Sequence, residues 1–261
     1  DARDVAQPTP RLFKTHQPLS VFSGGRRLAL LRDPYRTFAS LYAFVKGRGM
    51  PFARRNYHAW TAMRALGVPD SWIAWLIDRG WKTPEEYARG SVGWRRELYA
   101  RMNYYQYMVE YWIARNDPDV LLLCYEDIAG TNKEPWIRLV GKFMGISVSN
   151  NLSEIVLRMS SKSFMLEHAE KFDESGITEE INRQRGAPNP DVPYKSVTKV
   201  RDRRGDQLEG EHAILRQLAA EWRAQVTPLS GFTTYAEMRR AWAEEVRTRH
   251  PDVFGEGAAK N

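Results

Sequence analysis

"LALLRDPYRTFASLYAF", Leu28 to Phe44, is the stretch on which the fold turns. Leu28-Ala29-Leu30-Leu31 is a short apolar run of the kind that forms a strand buried on both faces. Asp33 is a good helix N-cap, and Pro34 suits the first helical position because its fixed φ is already helical. Phe38, Leu41, Tyr42 and Val45 then recur at helical spacing, and Gly47 can end the helix. The stretch therefore predicts strand 28–32, a tight turn and helix 34–46. Arg32 stands at the carboxyl end of that strand, where open α/β sheets bind ligands, and beside a helix N-terminus, which favours anions. On these residues alone, pairing of Arg32 with Asp33 or another carboxylate accounts for it equally well.

The surrounding chain is that of an ordinary globular protein. It has 261 residues, 43% hydrophobic and 27% charged, enough for one large domain or two small ones, and a single domain over 1–261 is expected. No run approaches the roughly 20 apolar residues of a membrane span. The polar start "DARDVAQPTP" has neither signal-peptide nor transit-peptide character. The single cysteine, Cys124, excludes an internal disulfide and a Cys-rich zinc site, and it fits a reducing, cytoplasmic compartment. It lies in an apolar run, as a small buried hydrophobe would. A net charge of +7 suits an anionic ligand. No nucleic-acid signature or long basic block accompanies that charge, so nucleic acid is not the expected partner.

Working outward, "PRLFKTH", residues 10–16, reads as a short strand, and "QPLSVFSGGRR", residues 17–27, as a loop. Residues 47–100 carry Trp60, Trp72, Trp75, Trp81 and Trp94 and are expected to form a cap of short helices. Their aromatic rings either pack the cap's own small core or, with the basic "KGRGMPFARR" of 46–55, wall an acceptor pocket. An amphipathic helix is expected over 102–115. "VLLLCYED", 120–127, is the best buried-strand candidate. A helix with Trp136, Leu139, Val140, Phe143 and Met144 should stop at Gly145, and Asn151 with Glu154 resembles a capping box for the next. Residues 171–210 read as a polar loop, 211–224 as a helix, and 251–261 as a frayed tail. Alternation of strand and helix indicates an α/β fold with a central, mostly parallel sheet flanked by helices.

Reactive groups cluster at the strand ends. Lys14 and His16 are two apart, so on a strand they share a face. A His near neutral pKa can take a proton from an alcohol or phenol, and a neighbouring Lys can offset charge on a transferring anionic group. His58, His168, His212 and His250 are scattered, so no metal-ligand cluster is expected.

The ordered set "KTHQP", "LALLRDPYRTFASLYAF", "VLLLCYEDI" and "SKSFM" resembles the cytosolic-type sulfotransferase family. The family's pattern runs Lys-Thr-His-x-Pro, an Arg-x-Pro turn with Ser eight residues after the Arg, Tyr-Glu-Asp after a strand, a Ser-Phe segment, and an Arg-Lys-Gly loop. The resemblance covers roughly residues 10 to 235 and implies a P-loop-NTPase-like sulfotransferase fold. It implies transfer of a sulfuryl group from 3′-phosphoadenosine 5′-phosphosulfate (PAPS) to a hydroxyl, less readily an amine, of a small-molecule acceptor. The product would be adenosine 3′,5′-bisphosphate (PAP), with no metal. By the same resemblance His16 is the general base and Lys14 its catalytic neighbour. Arg32 and Ser40 bind the 3′-phosphate, Tyr125 contacts adenine, and Ser163 and Phe164 line it. The loop "KVRDRRGDQ", 199–207, stands where the family's Arg-Lys-Gly loop falls. It aligns either through Arg203, Arg204 and Gly205, or through Arg201 with Gly205 further on. The expected role of 171–210 is to close over the cofactor.

One family feature is absent. The Gly-bearing loop that cradles the 5′-phosphosulfate precedes Lys-Thr-His in the family, and only 13 residues precede Lys14 here. "SGGRR", 23–27, follows the His and does not replace it. The loop is expected in a segment of the full protein that this chain lacks. Two rivals follow. A small-molecule P-loop kinase would use a Mg²⁺-binding Asp at a strand end, for which Asp127 is the candidate, and a Walker loop. A sulfotransferase-like module that binds nucleotide or a partner without turnover would explain the missing loop. The family's dimer motif is not evident, which leaves oligomeric state open.

Overall fold

The computed structural model describes residues 19–21, 24–47, 66–69, 103–172, 208 and 210–255. Its organising element is a parallel pair of strands, β1 (Arg27–Leu31) and β2 (Val120–Cys124). Parallel neighbours need a long crossover, and 88 residues separate these two strands. The register pairs Arg27 with Val120 and Leu31 with Cys124. The parallel pairing and flanking helices agree with the expected α/β class. The sheet of the described residues has two strands.

The strands differ in burial. All five residues of β2 are buried. In β1, Ala29 and Leu31 are fully buried, whereas Leu28 and Leu30 are 44% and 41% exposed. The expectation of burial on both faces therefore fails for β1. Side chains alternate across a strand, and only the face carrying Ala29 and Leu31 meets the core.

Helix α1 (Pro34–Gly47) starts as the sequence predicts. Asp33 Oδ1 accepts from Arg36 N at 2.9 Å, and Phe38 and Tyr42 face the core one turn apart. Helix α2 (Tyr104–Ile113) opens with a capping box between Asn103 and Gln106, and buries Tyr104, Tyr105, Met108, Val109, Tyr111 and Trp112. The predicted strand 120–127 ends early: Tyr125–Ile128 form a single helical turn, α3. Helix α4 (Glu134–Met144) ends at Gly145 with φ +74°, a left-handed cap for which Gly has no steric penalty. Helix α5 (Asn150–Met159) is capped by Ser149, which accepts from Leu152 N, rather than by Asn151. Helix α6 (Lys162–Glu167) is capped by Ser161.

After α7 (Glu211–Gln225) and the turn α8 (Thr227–Ser230) comes α9 (Tyr235–Arg249), which the sequence reading did not anticipate. Its capping box joins Thr234 and Glu237, and it buries Tyr235, Met238, Trp242, Ala243 and Val246. The expected frayed tail is instead docked as far as Gly255. Helix α10 (Pro251–Phe254) buries Val253 and sets Phe254 edge-on to Trp136 at 4.9 Å. The core is rich in aromatic rings meeting edge to face: Tyr105 on Trp222 at 6.3 Å, Trp222 on Tyr235 at 6.2 Å, and Trp112 on Trp242 at 6.1 Å.

Candidate active site at the strand ends

The register that pairs Leu31 with Cys124 brings the residues that follow the two strands, Arg32 and Tyr125, side by side at the strands' carboxyl ends. Their side chains meet: the Arg32 guanidinium carbon lies 4.6 Å from the Tyr125 ring centre. A cation over an aromatic face is attracted by the ring's quadrupole, and the flat guanidinium can stack while keeping its outer N–H groups directed elsewhere. Arg32 Nε is buried and has no hydrogen-bond partner among the described residues. A buried donor left without an acceptor is uncommon.

Five side chains hold this turn in shape. The Tyr104 hydroxyl accepts from Arg32 N at 2.9 Å and donates to Arg32 O at 2.6 Å, so it satisfies both backbone groups where the ladder stops. Glu126 accepts from Asp33 N at 3.0 Å through one oxygen and from the Tyr235 hydroxyl at 2.7 Å through the other. Burial, with the Glu126 carboxylate adding to it, raises the Tyr235 phenol above its ordinary range, so it remains a donor. Asp127 is gripped on both oxygens by Arg239, whose Nε lies 3.1 Å from each and whose Nη2 lies 2.7 Å from Oδ1. Directly before them, Cys124 is buried as expected, and burial pushes its thiol up to about 12.

Asp127 is thus committed to an internal ion pair, which removes the kinase rival's Mg²⁺ ligand. Among the described residues no group of His, Cys, Asp and Glu could hold a metal ion. No described helix is long and apolar enough to cross a membrane.

The other expected site residues fall as follows. Ser40 is exposed on α1, seven residues past the Asp33 cap. That is roughly 10 Å along the axis, on nearly the same face of the helix as the cap. Ser163 and Phe164 open α6 in a cluster of their own: Ser163 Oγ lies 3.1 Å from Ser161 Oγ, and the Phe164 ring is 4.3 Å from that of His168. Arg158, Ser161 and Glu167 complete a shallow groove around them. Lys14, His16, Arg201, Arg203, Arg204 and Gly205 lie outside the described residues, as do most of the 47–100 and 171–210 segments. Sequence reading missed Tyr104, Glu126 and Arg239. Glu126 was inside the quoted Tyr-Glu-Asp motif, but its partners lie 93 and 109 residues away.

A parallel strand pair with a stacked, partly unsatisfied Arg at its carboxyl edge defines an α/β protein whose strand ends carry the candidate site. Residues 2–186 match the sulfotransferase domain family, and the chain belongs to it. Sulfotransferase 1A1 of the dog, Canis lupus familiaris, is 26% identical over 154 residues, 59% of this chain and 44% of that protein. The chain therefore spans less than half the length of that relative. Among solved structures, mouse sulfotransferase SULT7A1 complexed with PAP aligns over 87% of this chain and 58% of its own, at 13% identity and a TM-score of 0.39.

Proposed function

We propose that the chain is the acceptor-base and nucleotide-binding part of an enzyme that moves a sulfuryl group from PAPS to a hydroxyl of a small molecule. The observation that carries this reading is Arg32: a guanidinium stacked on Tyr125 at the strand ends, with a buried Nε that no described residue satisfies. Such a group fits the phosphate of a nucleotide, since its fork can donate two hydrogen bonds to phosphate oxygens. Tyr125 is partly exposed and offers a flat face for a purine ring. Family membership supports the same assignment.

When bound, PAPS supplies an activated sulfuryl group and PAP as its leaving group. Arg32 holds the 3′-phosphate, joined by the Ser40 hydroxyl and by the Arg201, Arg203, Arg204 and Gly205 loop. Tyr125, Ser163 and Phe164 contact the adenine. His16 takes the proton from the acceptor hydroxyl, and Lys14 offsets negative charge that grows on the leaving side.

Calorimetric titration with PAP tests the site. Wild type should bind, and Arg32→Ala should lose about 1.5–3 kcal/mol, the worth of a hydrogen bond to a charged group. Transfer of labelled sulfate from PAPS to 4-nitrophenol should then vanish in His16→Ala while PAP binding stays. Equal PAP affinity in wild type and Arg32→Ala, or no binding by either, overturns the reading.

A further inference from the structure

The strand end that carries Arg32 is crowded with negative charge. Asp33 Oδ1 caps α1 by accepting from Arg36 N at 2.9 Å, and Glu126 Oε1 accepts from Asp33 N at 3.0 Å, so two carboxylates flank residue 33. A third, Asp127, is held by Arg239. Arg32 pairs with none of them: its Nε has no partner among the described residues, and its guanidinium stacks on Tyr125. With Asp127 and Arg239 offsetting each other, Arg32 stands alone against the charges of Asp33 and Glu126. A phosphate monoester brings further negative charge, and like charges at close range repel. Arg32 by itself therefore leaves this corner net negative, the wrong sign for an anion.

Arg36 supplies the missing charge. It lies in the first turn of α1, where no acidic residue stands. It is exposed, and no described carboxylate pairs with it. A cation near a helix N-terminus is unfavourable to the helix, so Arg36 does nothing for α1 itself. The backbone there is already served, since Arg36 N and Thr37 N both donate to Asp33. What remains to meet a ligand is side chains. Helical side chains lean toward the N-terminus, so Arg36 leans back over the turn at 32–33, and Ser40 leans toward Arg36. Residues four apart in a helix have Cβ atoms about 5–6 Å from each other. Arg36 thus stands between Arg32 and Ser40 along one side of α1.

We propose that Arg36 is a specificity-determining residue of the phosphate site. With Arg32 it forms a pair of guanidiniums that offsets Asp33 and Glu126 and takes a terminal, doubly charged phosphate, the 3′-phosphate of the nucleotide. The proposal rests on the sulfotransferase reading for the identity of that nucleotide. The family pattern, an Arg-x-Pro turn and a Ser eight residues after the Arg, leaves Arg36 unassigned.

The experiment uses the whole chain as wild type, Arg36→Ala, Arg36→Lys and Arg247→Ala. Calorimetry reads the affinity of each for PAP and for adenosine 5′-phosphate, which lacks the 3′-phosphate, at low and at physiological salt. Arg36→Ala should weaken PAP binding about tenfold, the low end for a hydrogen bond to a charged group, and adenosine 5′-phosphate binding by less than about twofold. Its PAP affinity should also depend less on salt. Arg36→Lys keeps the charge and loses the fork, so it should recover part of the loss. Arg247→Ala removes a positive charge about 12 Å beyond Arg239 along α9 and should match wild type. Ala is the best helix former, so Arg36→Ala should unfold in urea no earlier than wild type. Unchanged PAP affinity in Arg36→Ala, an equal loss for both nucleotides, or a loss matched by Arg247→Ala overturns the assignment. Earlier unfolding of Arg36→Ala overturns it too, by making Arg36 a support of the helix. Wild type that fails to bind PAP sinks the sulfotransferase reading and the role of Arg36 together, whereas wild type that binds PAP beside an unchanged Arg36→Ala sinks the role of Arg36 alone.

Discussion

Tyr104→Phe isolates the contact that ends the first strand. The change keeps the ring, and with it the packing 6.4 Å from Tyr105, and deletes one oxygen. That oxygen serves Arg32 N at 2.9 Å and Arg32 O at 2.6 Å. A buried polar group stripped of its partner costs about 1–3 kcal/mol. Both bonds lie in a part-buried setting that water can enter, so each group falls at the low end, about 1 kcal/mol, and the variant should lose about 2 kcal/mol. The same oxygen's contact with Thr37 Oγ1, at 3.4 Å, is too long to add much. Thr37→Val is therefore the control, with a loss under about 0.5 kcal/mol. Urea unfolding followed by far-ultraviolet circular dichroism reads both variants, with equal m-values required for a comparison of midpoints. A loss below about 0.5 kcal/mol for Tyr104→Phe at unchanged m-value would refute the claim that this hydroxyl satisfies the strand end.

Two further outcomes are expected. Arg239→Ala strands the Asp127 carboxylate, whose side chain is 8% exposed, and should destabilise by about 3 kcal/mol in the same urea experiment. The low end of the buried-pair range applies because Arg239 itself is 35% exposed; Asp127→Asn, which keeps a polar group for Arg239, should cost less. The Cys124 thiol is raised to about 12 by burial, from 9.0. Folding therefore disfavours the thiolate, so this contribution is fully present below pH 9 and fades as pH rises toward 12. Ellman's reagent should leave native protein unreacted at pH 8 and titrate one thiol in urea, while stability measured at pH 8, 9.5 and 10.5 should fall with a Cys124→Ala-sensitive slope. Rapid native reaction at pH 8 would contradict the burial.

Much of the strand-turn-helix was legible because its signals are local. Asp33, Pro34 and the Phe38–Tyr42 spacing act within one or two turns, and the helix begins where they put it. Gly145 closes α4 for the same reason. What failed was decided at a distance. Leu28 and Leu30 look as apolar as Ala29 and Leu31, and only tertiary packing distinguishes the two faces. Tyr125–Ile128 directly follow an apolar run in sequence, yet they turn, with Glu126 bound to the Asp33 amide and the Tyr235 hydroxyl and Asp127 to Arg239. Helix α9 is Arg- and Glu-rich, and its buried stripe of Met238, Trp242 and Val246 is thin enough to pass for a solvated segment. The candidate site was legible as residue types in order; the Tyr104, Glu126 and Arg239 contacts that shape it join residues from 72 to 112 positions apart.

Helix α9 grips the second strand once and the turn after it twice: Trp242 Nε1 donates to Leu122 O at 2.9 Å, Tyr235 bonds Glu126, and Arg239 clasps Asp127. The segment that identifies the family ends at residue 186, before this helix begins. Recognisable ancestry and folding unit are thus different lengths of polypeptide. A chain trimmed to the recognisable part would keep Arg32 and Tyr125 but leave a strand carbonyl and two carboxylates beside them without their partners. Its strand ends would be written in the chain and yet unsupported, because the matched part leans on a helix that lies outside the match.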